Sequence, residues 1–212
     1  MACSLAGKSE GLERAQGSVP ATGYSRPIRR RATALSKLVD TMNHMPLRII
    51  ASTGLVVGAV LGLAGTFVSS ASLRGLAWGL DGVALVVATA LLTIHHFRRG
   101  RDLMAAGFLV FAIGESLILS GAAMEPIASI PSFGSGAGLW AASLALISAP
   151  NIMPKLVRAV GFIASALFAL VAMEIFAGRQ LTPLSAPLPF FAYPFLVATL
   201  FGWAWSHLKE RT

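Results

Sequence analysis

Glu115 is the charged residue whose place in this sequence most clearly indicates a function. It lies near the middle of residues 103–124, an apolar run that reads LMAAGFLVFAIGESLILSGAAM. A run of about 20 such residues is long enough to cross the hydrocarbon core of a bilayer as a helix. A carboxylate in that core is energetically expensive and normally faces other helices or a polar cavity. By helical rise, Glu115 would lie roughly 13 Å below the nearer surface.

Asp81 is a second acidic residue at a similar predicted depth. It lies in the preceding apolar run, roughly 12 Å below the same surface. Neither run has Lys or Arg near its middle. If the two carboxylates face each other, both cannot stay ionised in a medium of low dielectric constant unless a cation lies between them. Glu115 and Asp81 therefore form a candidate proton-binding or cation-binding site.

A purely structural role is the alternative for both acids. A protonated Glu115 could donate a hydrogen bond to Ser116, Ser120, Ser143 or a backbone carbonyl, and would then only hold helices together. For Glu115 a functional role is favoured, whereas for Asp81, which is shallower and lies near Gly79 and Gly82, a structural role is favoured. The sequence leaves both alternatives open.

The composition determines the fold class that positions these residues. Of 212 residues, 55% are hydrophobic and only 12% are charged, and the mean hydropathy is +0.72. A soluble domain would carry about 25% charged residues. We predict an all-α membrane protein, a compact bundle of six transmembrane helices built from sequential antiparallel hairpins, because the connections are short. The predicted spans are residues 49–68, 73–97, 103–124, 133–149, 156–177 and 190–206.

Two segments precede the spans. Residues 1–27 are polar and are predicted to be a disordered cytoplasmic tail. Residues 28–47 alternate apolar and basic positions at helical spacing, which indicates an amphipathic helix on the membrane surface. Its basic residues would meet anionic headgroups; they are Arg29, Arg30, Arg31 and Lys37. The alternative is a solvated basic tail that only sets the topology.

The basic residues also predict the orientation. Fifteen of the 17 Lys and Arg residues lie on one side of the six predicted spans, and two lie on the other. The positive-inside rule therefore places both termini in the cytoplasm, with residues 48–207 as the membrane domain and 208–212 as a cytoplasmic end. Arg outnumbers Lys thirteen to four, which favours the inner membrane of a bacterium with a GC-rich genome.

Glycines predict where helices approach closely. Gly54, Gly58 and Gly62 recur every four residues on span one, and Gly75 and Gly79 offer a similar face on span two. Small residues let helix backbones pack tightly in lipid. We expect spans one and two to pack through these glycines, with homodimerisation as the less favoured alternative.

Other titratable residues lie near the predicted surfaces. Glu125 and Glu174 would lie at the outer surface, either solvated or as an acidic mouth that attracts cations. His95, His96 and His207 would lie among the cytoplasmic headgroups. Adjacent residues on a helix point about 100° apart, so the histidine pair cannot chelate one ion. With no carboxylate predicted at that depth, no metal site is expected.

No enzymatic motif is found in the predicted membrane domain. The chain lacks the HExxH, P-loop and nucleotide-binding glycine patterns. Residues 7–11, GKSEG, match G-x-S-x-G but lie in the predicted disordered tail and not at a strand-to-helix turn, and we expect neither catalysis nor a cofactor. The net charge of +8 is assigned to the cytoplasmic membrane face and not to nucleic acid. The predicted function is a small proton- or cation-coupled transporter with a midplane carboxylate. The alternative is a non-catalytic membrane component, such as an assembly factor, sensor or subunit, that acts through the basic N-terminal segment.

Overall fold

The computed structural model describes residues 25–122, 124 and 127–210, with the backbone alone for residues 25–45. The chain divides into two units, residues 1–39 and 40–212. In the first unit the described part is helical from Ser25. Most of the predicted disordered tail lies outside the described residues. So do the side chains of the predicted surface helix, including Arg29, Arg30, Arg31 and Lys37.

The described part of the chain is helical and contains no strand, which confirms the predicted all-α class. A 3-10 turn at Phe190–Ala192 directly precedes the last helix. The α-helices are α1 (Ser25–Phe67), α2 (Ala71–Phe97), α3 (Asp102–Gly121), α4 (Ile130–Ser148), α5 (Lys155–Phe176) and α6 (Tyr193–Lys209).

Five helices are long and apolar enough to cross a membrane: Pro46–Phe67 of α1 and the whole of α2, α3, α4 and α5. They agree with the first five predicted spans to within about three residues. The sixth predicted span corresponds to the 3-10 turn and the 17 residues of α6. Pro187 and Pro189 precede this turn, and a residue directly before a proline disfavours the helical conformation.

One helix boundary differs from the prediction. The sequence predicts a surface helix that ends near residue 47 and a separate span after it. In the structure, α1 continues through Pro46 without interruption. A proline inside a helix removes one backbone hydrogen bond, and neighbouring groups can compensate for this loss in a membrane helix.

Aromatic side chains form the centre of the protein. Phe108 lies against Trp203 at 5.1 Å between ring centroids, Phe111 stacks on Trp140 at 5.8 Å, and Trp140 meets Phe168 edge to face at 5.1 Å. These five rings are almost fully buried and join α3, α4, α5 and α6. Large apolar side chains on the outer helix surfaces are exposed, as the lipid-facing surface of a membrane protein requires.

The glycines of α1 do bring it close to α2. A Cβ added to Gly54 would lie 2.9 Å from the Ala88 Cβ and 3.0 Å from the Ala84 carbonyl oxygen. A Cβ added to Gly58 would lie 2.5 Å from Leu85 side-chain atoms. A larger side chain at position 54 would require the two helices to move apart, whereas one at position 58 would require the Leu85 side chain to shift.

The face of α2 that packs against α1 does not contain the predicted glycines, Gly75 and Gly79. A Cβ added to Gly75 or Gly79 would meet nothing within 4 Å. The face of α2 that meets α1 contains Trp78, Asp81 and Leu85, which recur at helical spacing. Gly79 follows Trp78 and therefore points about 100° away from this face.

The α1–α2 contact predicts different effects for two Gly→Ala changes. Both changes gain up to about 1 kcal/mol of helix propensity. Gly54→Ala should still lower the free energy of unfolding by about 1–3 kcal/mol relative to Gly79→Ala, because it overpacks a tight contact. Denaturation of the purified variants in detergent measures this difference, and equal stabilities would contradict the described contact.

Candidate functional site

A cavity of about 490 Å³ contains both of the predicted acidic residues, Asp81 and Glu115. It extends inward from the end of the protein at which α1 is followed by α2, here called the α1–α2 end. Its walls are mostly apolar and come from α1, α2, α3, α4, α6 and the connection before α6. The aromatic side chains in these walls are Trp78, Phe133, Trp140 and Tyr193.

Glu115 projects from α3 towards α2 and is only 3% exposed. A Cβ added to Gly82 would lie 3.2 Å from Glu115 Oε1, so this glycine makes room for the carboxylate. Within the described residues, Glu115 Oε2 has no hydrogen-bond partner at normal distance. The indole N–H of Trp140 interacts with this carboxylate and also lines the cavity, so a bound molecule would meet both groups.

The three serines that were candidate hydrogen-bond partners for Glu115 donate their hydrogen bonds to other groups. Ser116, Ser120 and Ser143 each donate a hydrogen bond of 2.7–2.8 Å to a backbone carbonyl of their own helix, three or four residues earlier. These hydroxyls therefore donate to helix carbonyls and not to the Glu115 carboxylate, whose Oε2 has no hydrogen-bond partner among the described residues.

Asp81 projects from α2 towards the glycines of α1. A Cβ added to Gly62 would lie 2.6 Å from Asp81 Oδ2, and one added to Gly58 would lie 3.1 Å from Oδ1. In the part of the chain that the structure describes, Oδ1 is buried without a hydrogen-bond partner. Asp81 and Glu115 thus line one cavity from two sides, close enough for their charges to interact.

Arg74 lines the outer part of the cavity. Its Nη1 donates a hydrogen bond to the Val68 carbonyl oxygen at 3.2 Å, and its guanidinium lies 5.8 Å from the centre of the Trp78 ring. These two contacts hold the side chain against the connection between α1 and α2.

The predicted acidic mouth is not formed by Glu174. Its Oε1 accepts a hydrogen bond of 3.0 Å from Arg179, and the residue does not line the cavity. Its carboxylate is half-exposed, so a nearby arginine and water satisfy it. Glu125 lies outside the described residues.

A second group of polar residues lies at the other end of α2, here called the α2–α3 end. His95, His96 and His207 are 0%, 0% and 3% exposed, and their ring centroids lie 5.1–6.0 Å apart. The prediction that these histidines lie among the headgroups is therefore wrong. Their rings lie against one another and against Phe108 of α3.

Glu210, which follows α6, completes this cluster. Its Oε2 lies 3.2 Å from His95 Nε2 and 3.9 Å from His207 Nδ1. Its Oε1 accepts hydrogen bonds from Arg99 at 2.5 Å and from Arg101 at 2.7 Å. Burial alone would raise the pKa of Glu210, but the histidine and arginine hydrogen bonds and the Arg99 charge hold that pKa well below its usual range.

Arg48 of α1 contacts this cluster by hydrogen bonds to backbone carbonyl oxygens. It is 6% exposed, and its Nε donates a hydrogen bond to the His207 carbonyl oxygen at 3.0 Å. Its Nη2 donates to the carbonyl oxygens of both His207 and Glu210. A guanidinium here satisfies carbonyl groups that have no partner inside the helix at its C-terminal end.

Sequence reasoning missed this cluster because no carboxylate was predicted near the histidines. One signal was present: His207 and Glu210 are three residues apart, a spacing that places side chains on one face of a helix. The ligand atoms of His95, His207 and Glu210 all lie within 4.8 Å of one another. These three residues could hold a metal ion, contrary to the expectation from the sequence.

Comparisons with protein-family models, with curated proteins and with solved structures give no match to this chain. The class of protein therefore follows from the fold alone. The protein is all-helical, with five helices of the length and apolar composition that a membrane-embedded protein requires.

The ion pairs predict unequal effects for two glutamate changes. Glu210→Gln should lower the free energy of unfolding by about 1–3 kcal/mol, between the values for exposed and buried pairs. Glu210 and its two arginine partners are 19%, 26% and 29% exposed in their side chains. The matched control, Glu174→Gln, breaks an exposed pair and should change the stability by less than about 1 kcal/mol. Denaturation in detergent with a metal chelator present measures both, and equal effects would contradict the described burial.

Proposed function

We propose that this chain is a multispan inner-membrane protein of a bacterium that crosses the membrane six times, with both termini in the cytoplasm. The 3-10 turn and α6 together have 20 residues. By their rise per residue they extend roughly 30 Å, the thickness of a hydrocarbon core. A sixth crossing is therefore long enough.

The residues that line the two cavities support an alternation of helix direction. The cavity at the α1–α2 end is lined by the ends of α1 and α3 and by the starts of α2, α4 and α6. A cavity of about 440 Å³ at the α2–α3 end is lined by residues from the end of α2, the start of α3, the α4–α5 connection and the end of α6. This is the arrangement that sequential antiparallel hairpins produce.

The distribution of charge supports the orientation. By helix order, the described basic residues of the α2–α3 end are Arg48, Arg98, Arg99, Arg101, Lys155, Arg158 and Lys209. Those of the α1–α2 end are Arg74 and Arg179. The positive-inside rule assigns the first group to the cytoplasm, so the carboxylate cavity would open to the outer side.

We further propose that the protein binds an organic cation in the carboxylate cavity and carries it across the membrane, coupled to protons. One observation carries this proposal: within the described residues, two carboxylates with unbonded oxygens line a cavity whose other walls are mostly apolar and aromatic, with Arg74 at its outer part. The cavity volume of about 490 Å³ falls in the range of about 300–1,000 Å³ that is usual for small-molecule sites.

The walls favour an organic cation over a bare metal ion. Hard metal ions need about six or more oxygen ligands, whereas this cavity offers two carboxylates among apolar groups. Aromatic rings attract cations through their faces, and Trp78, Trp140 and Tyr193 all line the cavity. Exchange of the bound cation for a proton on Asp81 or Glu115 would couple the two fluxes.

The alternative, a non-catalytic component that acts through residues 28–47, depends on side chains outside the described residues. The proposed carrier depends on the cavity, so the two can be separated by experiment. Loss of function on deletion of residues 1–40, with no effect of a change at Glu115, would support the alternative.

Binding of tetraphenylphosphonium to the full chain in detergent tests the carrier proposal. Because the cation must be paired in an apolar cavity, Glu115→Gln and Asp81→Asn should each weaken binding by about tenfold or more. Glu174→Gln, which removes an acid outside the cavity, should bind like the unchanged protein. Tryptophan fluorescence reports binding, since Trp78 and Trp140 line the site.

Uptake into proteoliposomes then tests transport. An imposed pH gradient should drive uptake by the unchanged protein, and Glu115→Gln should abolish it. Undiminished cation binding by both acid variants would contradict the proposed site, and binding without uptake would contradict the proposed transport.

A further inference from the structure

We propose that His95, His207 and Glu210 form a binding site for a divalent transition-metal ion of the zinc class at the α2–α3 end. The site is separate from the carboxylate cavity, and it does not depend on the proposed carrier activity. It uses two imidazole nitrogens and one carboxylate oxygen from the ends of α2 and α6.

The three ligand atoms lie close enough together to surround one ion. Glu210 Oε2 lies 3.2 Å from His95 Nε2 and 3.9 Å from His207 Nδ1, and the three atoms all lie within 4.8 Å of one another. Zinc–ligand bonds of about 2.0–2.2 Å in tetrahedral geometry separate ligand atoms by roughly 3.3 Å. Small side-chain rotations would therefore close the set around one ion.

The carboxylate is already oriented for this role. Its Oε1 accepts hydrogen bonds from Arg99 and Arg101, which leaves Oε2 directed at the two imidazoles. Partners of this kind fix the orientation of metal ligands in known sites. Metal binding would replace the hydrogen bond between His95 and Glu210 with two metal–ligand bonds and release its proton.

The charged groups around the three ligands act on a bound cation in opposite directions. The guanidinium groups of Arg48, Arg99 and Arg101 oppose a cation, whereas Glu210 and two helix C-termini favour it. The C-terminal ends of α2 and α6 meet here, and each carries a partial charge of about −0.5. Arg48 donates a hydrogen bond to the His207 carbonyl oxygen, so its positive charge is partly offset by the carbonyl dipoles at the end of α6.

The ligand types select the ion. Mg²⁺ and Ca²⁺ require oxygen ligands that this cluster does not supply among its described residues. Imidazole nitrogens suit Zn²⁺, Co²⁺ and Ni²⁺. Three protein ligands leave a fourth position for water or another small ligand, and the cavity of about 440 Å³ lined by His207 and Glu210 gives an ion a path of entry.

His96 provides a matched control. It is as deeply buried as His95, but it stacks on Phe108 at 5.3 Å between ring centroids and is not among the three ligands. His96→Gln removes a buried imidazole from the same cluster without removing a ligand.

The test is a calorimetric titration of the full chain with Zn²⁺ in detergent, after chelator treatment and without a polyhistidine tag. We expect one ion per chain, with no binding of Mg²⁺. His207→Gln and Glu210→Gln should each weaken binding by about tenfold or more, and His96→Gln should leave the affinity unchanged. Circular dichroism confirms that each variant is folded, and four-coordinate Co²⁺ gives an independent visible spectrum.

Absence of Zn²⁺ binding by the folded, unchanged chain would overturn the proposal. Binding that is equally strong in folded His207→Gln and Glu210→Gln would also overturn it. Binding of phosphate in place of Zn²⁺ would do the same, since it would make this cluster an anion site dominated by its arginines.

Discussion

The burial of the Glu115 carboxylate is the constraint on which the rest of this structure depends. A carboxylate in the interior of a membrane protein must face protein or water, because exposure to lipid is costly. α3 meets this requirement by turning Glu115 towards Gly82 of α2 and exposing residues such as Leu109 and Ile113 on its other side. No Lys or Arg side chain of the described chain bonds to Glu115. The carboxylate instead lines a cavity.

The glycines of α1 serve two purposes in this arrangement. Gly54 lets α1 approach the backbone of α2, while Gly58 and Gly62 leave the space that the Asp81 carboxylate occupies. The same close packing therefore places the second acid at the cavity. At the opposite end, Arg48, Glu210 and the arginines after α2 connect α1, α2, α3 and α6. The α1–α2 end of the protein opens onto the carboxylate cavity, and at the α2–α3 end ion pairs and hydrogen bonds connect the helices.

Much of the fold follows from the sequence, because apolar runs of membrane length have few alternatives to helices. Helical rise alone placed Asp81 and Glu115 at similar depths, and the structure brings them to one cavity. The rotation of each helix could not be predicted in the same way. α2 is apolar around most of its surface, so periodicity did not show that Asp81, and not Gly79, faces α1. His207 is buried beside Glu210, a residue in a polar end that sequence patterns assign to solvent.

Labelling of a single cysteine tests the central claim most directly. The chain has one natural cysteine, Cys3, so Glu115→Cys with Cys3→Ser places a single thiol at the cavity. A cationic, membrane-impermeant thiol reagent added to the outer side of cells should label this thiol. Cys3 of the unchanged protein should stay unlabelled until the membrane is opened. A thiol at position 115 that is not labelled from outside would contradict the cavity and its orientation.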